Sequence, residues 1–190
     1  MREDLKPFLQ PGPMVQSDDD AVVGFARRAI GAETHPTEQA VLLYYAVRDE
    51  IRYDGYDLDI SVQGLCARRN LELGHGWCIS KAVLLAACCR AVGIPARLGY
   101  ADVRNHLSTR KMRERMGTDL FFWHGYTSIF LNNNIIFIFV DLYSYIFILN
   151  SVIHVFVFFK CGLISVLNST INLSNSILLK ITGNLGYFLE

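Results

Sequence analysis

The last third of the sequence has almost no charge. Of 190 residues, 18 are Lys or Arg and 18 are Asp or Glu, yet after residue 130 only Asp141, Lys160, Lys180 and Glu190 are charged. Those final 60 residues also lack Ala, Pro and Arg altogether, although the first 130 hold 13 Ala, 13 Arg and all 5 Pro. Net charge is zero, which removes any global attraction to nucleic acid or to an acidic membrane. The basic run 104–115 is short and fits a solvated face, so no nucleic-acid partner is expected. Cysteine is sparse: 5 in all, an odd count, with Cys88 and Cys89 adjacent. That is no disulfide framework, and it suits a reducing compartment. The opening MREDLKPFLQ has no apolar core of the kind a secretory signal needs. These features predict a cytoplasmic protein of bacterial type, with one domain's worth of chain. No internal repeat is present.

The compositional break falls at Leu131. Beyond it stand 10 Ile, 7 Phe and 8 Asn, residues with A/T-rich codons, in a stretch that is 36 of 60 apolar. Three origins compete. Residues 142–159 form an uncharged run of membrane-spanning length, though Asn150 and His154 interrupt it and neither flank carries a basic cluster. A buried, β-rich half of the domain would use the same vocabulary. So would a shift of reading frame into A/T-rich DNA. The division expected from composition is an extended lead-in at 1–16, a folded core at 17–131, and an apolar tail at 132–190. Any membrane association would run through that tail, as would any tendency to self-associate.

Local signals within the core are clear. Ser17 and Asp18, Asp19 and Asp20 precede an apolar run that closes at Gly31, which reads as a capped helix. Pro36 suits the first turn of a second helix, where Ala40, Leu43, Tyr44, Val47 and Ile51 recur at spacings of three and four. Residues 51–60 break that period and read as extended or looped. LGHGW at 73–77 reads as a tight loop. Residues 78–92 form the strongest helix: Cys78, Ala82, Leu85, Cys89 and Val92 make one stripe, widened by Ile79, Val83 and Ala86. Such width predicts a central, buried helix, ended by Gly93 and Pro95. A strand at 96–103, a short solvated helix at 108–116 and a β-type stretch at 121–131 follow.

Cys78 is the cysteine best placed to react. It stands just after a glycine-containing loop, at the start of a helix, where unpaired N–H groups and the helix dipole favour negative charge. Cys88 and Cys89 fall inside the helix and read as small buried hydrophobes. Cys66 lies beside Arg68 and Arg69 with no evident partner. Among the histidines, His35 reads as a cap or surface residue, His75 sits in the loop before Cys78, and His106 and His154 lie in other contexts. His124 begins a β-type segment beside Gly125, and a strand can hold it rigidly opposite a helix start. A thiol facing an imidazole is the nucleophile–base arrangement of cysteine hydrolases and acyltransferases. A metal site of Cys66, His75, Cys78 and His106 lacks CxxC or HxxxH spacing.

GHGWCISKAVLLAACCRAVGIPARLGYADVRNHLS followed by WHGYTSIFL resembles the core of the bacterial transglutaminase-like family, from about Val22 to Leu131. The resemblance implies a papain-like α+β fold, with N-terminal helices and a central Cys-bearing helix packed on an antiparallel sheet. It implies Cys78 as nucleophile, His124 as base, and a carboxylate on the next strand orienting the histidine. Asp141 is the candidate for that carboxylate. The implied chemistry is acyl transfer from a protein or peptide amide through a thioester, to an amine or to water, without metal or organic cofactor. Beyond Leu131 the family's Trp-containing strand is missing. The alternative is therefore an impaired or non-enzymatic module of this fold, acting in binding.

Overall fold

The computed structural model describes residues 3–104, 110, 113–114, 117–118, 120–138 and 140, and two short strands at 157–158 and 164–165. The element expected at the centre is there. Its helix, Cys78–Ala91, has every residue from Val83 to Cys89 at zero exposure. It is therefore apolar all round rather than amphipathic, and it needs partners on both sides.

Helices supply one side. α1 (Asp20–Ile30) is capped by Asp19, whose carboxylate accepts from the N–H groups of Ala21 (2.9 Å) and Val22 (3.3 Å). It ends on Gly31, at φ 55°. α2 (Pro36–Glu50) begins with Pro36, whose missing N–H costs nothing in the first turn. The strand β1 (Arg52–Tyr53) follows, then α3 (Val62–Leu65), α4 (Ala67–Leu73) and β2 (His75–Gly76). The Cys-bearing helix is thus α5. α1, α2 and α4 bury Val22, Phe25, Leu43, Tyr44, Val47 and Ala67 in the core that α5 centres. A fully buried Val or Leu side chain contributes about 1.5–3 kcal/mol relative to an exposed one, so this layer is a main source of stability.

The sheet covers the other side of α5. β3 (Ala96–Arg104), β4 (Leu120–Leu131) and β5 (Asn134–Ile138) run antiparallel in that order. β4 is tied to α5 by the Thr127 hydroxyl, which donates to the Ala82 carbonyl at 2.8 Å inside the core. Residues 108–116, expected as a helix, lie largely outside the described residues.

Three local expectations change. The lead-in is not extended: Glu3–Leu9 is a 3-10 helix containing Pro7, whose fixed φ suits that geometry. It is fastened to the core through Arg90, which donates to the Gln10 carbonyl, and through Phe8, stacked under the Arg97 guanidinium at 5.8 Å. The presumed loop 73–77 contains β2, which pairs in parallel with β1. The compositional break is also not a structural one. Asn132 (φ 51°) and Asn133 (φ 64°) form a two-residue turn of the mirror type, a conformation that Asn tolerates. β5 then alternates, with Ile136 and Ile138 buried, Ile135 exposed, and Val140 buried beyond the strand's end. The sheet and its buried face therefore continue past Leu131 to Val140. Most of 142–159 lies outside the described residues; the described β6 (Val157–Phe158) pairs antiparallel with β7 (Ile164–Ser165). No helix among the described residues is long and apolar enough to cross a membrane.

One charge is buried at the centre. Lys81 on α5 is fully enclosed and donates its ammonium to the carbonyls of Arg48 (3.1 Å) and Ile51, which the end of α2 leaves without helical donors. Lys81→Met keeps the volume and strands those carbonyls. It should lower unfolding free energy by about 1–3 kcal/mol for each one left unpaired, measured by urea denaturation. A chain ending at Leu131 should fail to give a cooperative thermal transition, because it discards Ile136, Ile138 and Val140, whereas one ending at Val140 should melt cooperatively by circular dichroism.

Candidate active site

Cys78 is the first residue of α5 and is nearly buried, 7% exposed. The backbone ahead of it is held from both directions. Trp77 N–H donates to the Ser80 hydroxyl (3.0 Å), and that hydroxyl donates back to the Trp77 carbonyl (3.3 Å). Upstream, β2 is pinned to β1 by Arg52 N–H to Gly74 O (3.0 Å) and Asp54 N–H to Gly76 O (2.8 Å). Gly76 admits no side chain: an added Cβ would stand 2.4 Å from both Asn70 Oδ1 and Ser80 Oγ. The segment expected to be a tight loop is therefore a strand-pinned approach to the thiol.

His124 lies on β4, 7% exposed, opposite Ala101 on β3. Its place relative to α5 is set by the residue after it. A Cβ on Gly125 would sit 2.7 Å from Ile79 Cα and 3.1 Å from Ile79 N, so β4 lies directly against the first turn of α5. Ile79 follows Cys78 and Gly125 follows His124, so this one close approach joins the two segments that carry the residues nominated from sequence. Only a residue without a side chain permits it.

The third nominated residue, Asp141, lies outside the described residues, and the described β4–β5 ladder ends at Ile138. His106, His154 and Cys161 lie outside them too. His35 occupies the N-cap of α2 without a side-chain bond there. His75 is half-buried, its Nε2 3.7 Å from Asp57 Oδ2, beside a polar cleft of about 90 Å³ lined by Asp57, Asp59, Arg69, Asn70 and Ser80. Cys66 directs its thiol to the Gln63 carbonyl at 3.1 Å. Among the described residues no group of three or more His, Cys, Asp or Glu could hold a metal ion.

Sequence reasoning missed one feature next to His124. Ala101 pairs with His124 and Val103 pairs with Phe121, so Phe122 and Trp123 together face Asp102. This is a β-bulge, with Trp123 at φ 58°. The Trp123 N–H donates to Asp102 Oδ1 at 3.2 Å. No local pattern announces a bulge, because it exists only in the count between two paired strands.

Cys88 and Cys89, by contrast, are fully enclosed. Burial pushes the Cys89 thiol up to about 12; burial, with Cys89 beside it, raises Cys88 as well. Neither supplies a nucleophile near neutrality.

The sequence pattern of the transglutaminase-like superfamily matches residues 23–142. The chain belongs to that superfamily. The match includes Cys78, His124 and Asp141 and continues eleven residues past Leu131, as the packing of β5 does. No curated protein matches the chain. Among solved structures it is similar to a candidate cysteine protease from Cytophaga hutchinsonii, at 20% identity and a TM-score of 0.57. That match covers 74% of this chain and 43% of the other, so the superfamily member spans under half of that structure's length. A second likeness is to a candidate protease from Parabacteroides distasonis, at 13% identity and a TM-score of 0.44, covering 62% and 22%. The fold is papain-like and transglutaminase-type, a scaffold for cysteine-dependent catalysis.

Gly125→Ala should separate β4 from α5. The expected cost is about 1–3 kcal/mol of stability, measured by denaturant unfolding, with slower alkylation of Cys78 in the folded protein. The raised core thiols also set a pH dependence. Below pH about 8.5 both folded and unfolded chains keep those protons. Above it the unfolded chain ionises first, so stability should fall as pH climbs from about 8.5 toward 12. Melting temperatures measured from pH 7 to 10 check this, and Cys88→Ala/Cys89→Ala should flatten the decline.

Proposed function

We propose that the chain is a cysteine acyl-transfer enzyme acting on protein or peptide amides, with Cys78 as nucleophile and His124 as its base. The observation that carries this reading is the approach of Gly125 to the backbone of Ile79, which joins the two segments at the start of α5. The Cys78 thiolate attacks the amide carbonyl, and the carbonyl electrons move onto oxygen. As the first helical residue, Cys78 has a backbone N–H without a helical acceptor, available to that oxyanion. The imidazolium of His124 gives its proton to the departing amine as the C–N bond breaks, leaving a thioester. Water or a primary amine, deprotonated by His124, then attacks the thioester and releases the thiolate.

The imidazole needs an acceptor on its other nitrogen to fix its tautomer. Asp141 is our candidate. Its support is the strand register: β4 and β5 pair Thr127 with Ile138, and three steps back along β4 from Thr127 is His124, while three steps on from Ile138 is position 141. A reducing compartment such as the cytoplasm fits the described cysteines, Cys66, Cys78, Cys88 and Cys89, all of them free.

The test uses the full chain. Substoichiometric iodoacetamide at mildly acidic pH should label Cys78 ahead of the other cysteines, as mapped by mass spectrometry. A glutamine-containing peptide should release ammonia, or incorporate a fluorescent amine. Cys78→Ala should abolish turnover, and Asp141→Ala should lower it by about three to four orders of magnitude, the scale seen when a triad member is lost. Labelling spread evenly over the cysteines would overturn the nucleophile. Selective labelling without turnover would favour a binding module of this fold instead.

A further inference from the structure

Extended strands point successive side chains to opposite faces, so one extra residue reverses the phase of everything beyond it. β4 contains such a residue. From Ala96 to Ala101 its pairing with β3 is regular; beyond, Phe122 and Trp123 together face the single residue Asp102. On the inner side of the bulge, His124 is 7% exposed. On the outer side Trp123 is 71% and Phe122 60% exposed, and Trp123 rests edge-on against Tyr100, with ring centroids 6.2 Å apart.

The bulge has to be held. Trp123 has φ 58°, a left-handed conformation that a bulky residue adopts at a cost of about 1–3 kcal/mol. Its solvent-facing indole does not repay that cost. The hydrogen bond that fastens this residue is the one from its N–H to Asp102 Oδ1, at 3.2 Å. Asp102 is the residue that faces the bulge, so its carboxylate caps the amide that the extra residue displaces from the ladder.

We propose that Asp102 and the left-handed backbone of Trp123 form a latch that positions His124, holding the strand at the residue next to the imidazole where the regular ladder ends. Asp102 acts through the backbone and is a positioning residue. The inference rests on the reading of Cys78 and His124 as a reactive pair. It adds a second carboxylate to the site's requirements, on the strand opposite to the one that would carry Asp141.

The experiment measures alkylation of Cys78 by iodoacetamide from pH 5 to 9 in the full-length protein, with ¹⁵N-histidine spectra of the same samples. An isolated thiol is mostly protonated at pH 6, whereas one paired with an imidazole keeps a reactive fraction there. Asp102→Ala should lower the rate at pH 6 by about tenfold or more and leave the rate at pH 9 within about twofold. Asp102→Asn, which keeps an acceptor oxygen, should restore the profile. Trp123→Gly should keep it, since glycine takes the same backbone freely, and Trp123→Val should lose it. A purely structural role would lower the melting temperature in Asp102→Ala and leave the shape of the pH profile alone. That result overturns the latch, as does equal loss in Asp102→Asn. If the unmodified protein lacks the low-pH reactivity, the thiol–imidazole reading has failed. The latch is then judged on the His124 ring resonances: movement in Asp102→Ala with return in Asp102→Asn supports it, and no movement refutes it.

Discussion

A helix buried on every side must meet each neighbour with small groups wherever backbones come close, and α5 imposes that condition on the whole molecule. Its own surface satisfies it with Ala82, Ala86, Ala87, Cys88 and Cys89. The partners satisfy it with Gly125 against Ile79, and with Gly76 packed between Asn70 and Ser80. From Ser80 to Cys89 that helix has no solvent face on which to display a charge. Lys81, the one lysine it carries, is accordingly spent on the carbonyl end of α2.

The same burial separates the cysteines by role. Cys88 and Cys89 share a helix with Cys78, yet they sit where the amides of Val92 and Ile94 take up their carbonyls and no water reaches. Desolvation keeps them as neutral thiols. Cys78 stands where the helix begins, with unpaired amides around it and β4 alongside. Position on one helix, rather than residue type, distinguishes the packing thiols from the one proposed to react.

What was legible in the sequence is what local rules decide. Asp19 and Gly31 delimit α1, Pro36 opens α2, and the unbroken apolar run from Ala82 to Cys89 announces a buried helix. The local settings of Cys78 and His124 were legible too, the first at a helix start and the second on a strand. The parallel pairing of β1 with β2 was hidden, because each strand is two residues long and has no period to read. The bulge at Trp123 was hidden because register belongs to two strands together. Composition misled at Leu131: a change of vocabulary is not a change of pattern. The signals that mattered there were the Asn132–Asn133 turn and the alternation of Ile136 with Ile138, both of which continue the sheet.

The short β1–β2 pairing ties together parts that are far apart in the chain. Hydrogen bonds from Arg52 and Asp54 hold the glycines that lead to Cys78, and Lys81 reaches from α5 to the carbonyls on either side of the α2 terminus. The end of α2, the approach to Cys78 and the first turn of α5 thus form one closed circuit of bonds. Such a circuit opens as a unit or not at all. Amide hydrogens at Asp54 and Lys81 should therefore share an exchange rate with those at the end of α2, and the thiol cannot gain mobility on its own.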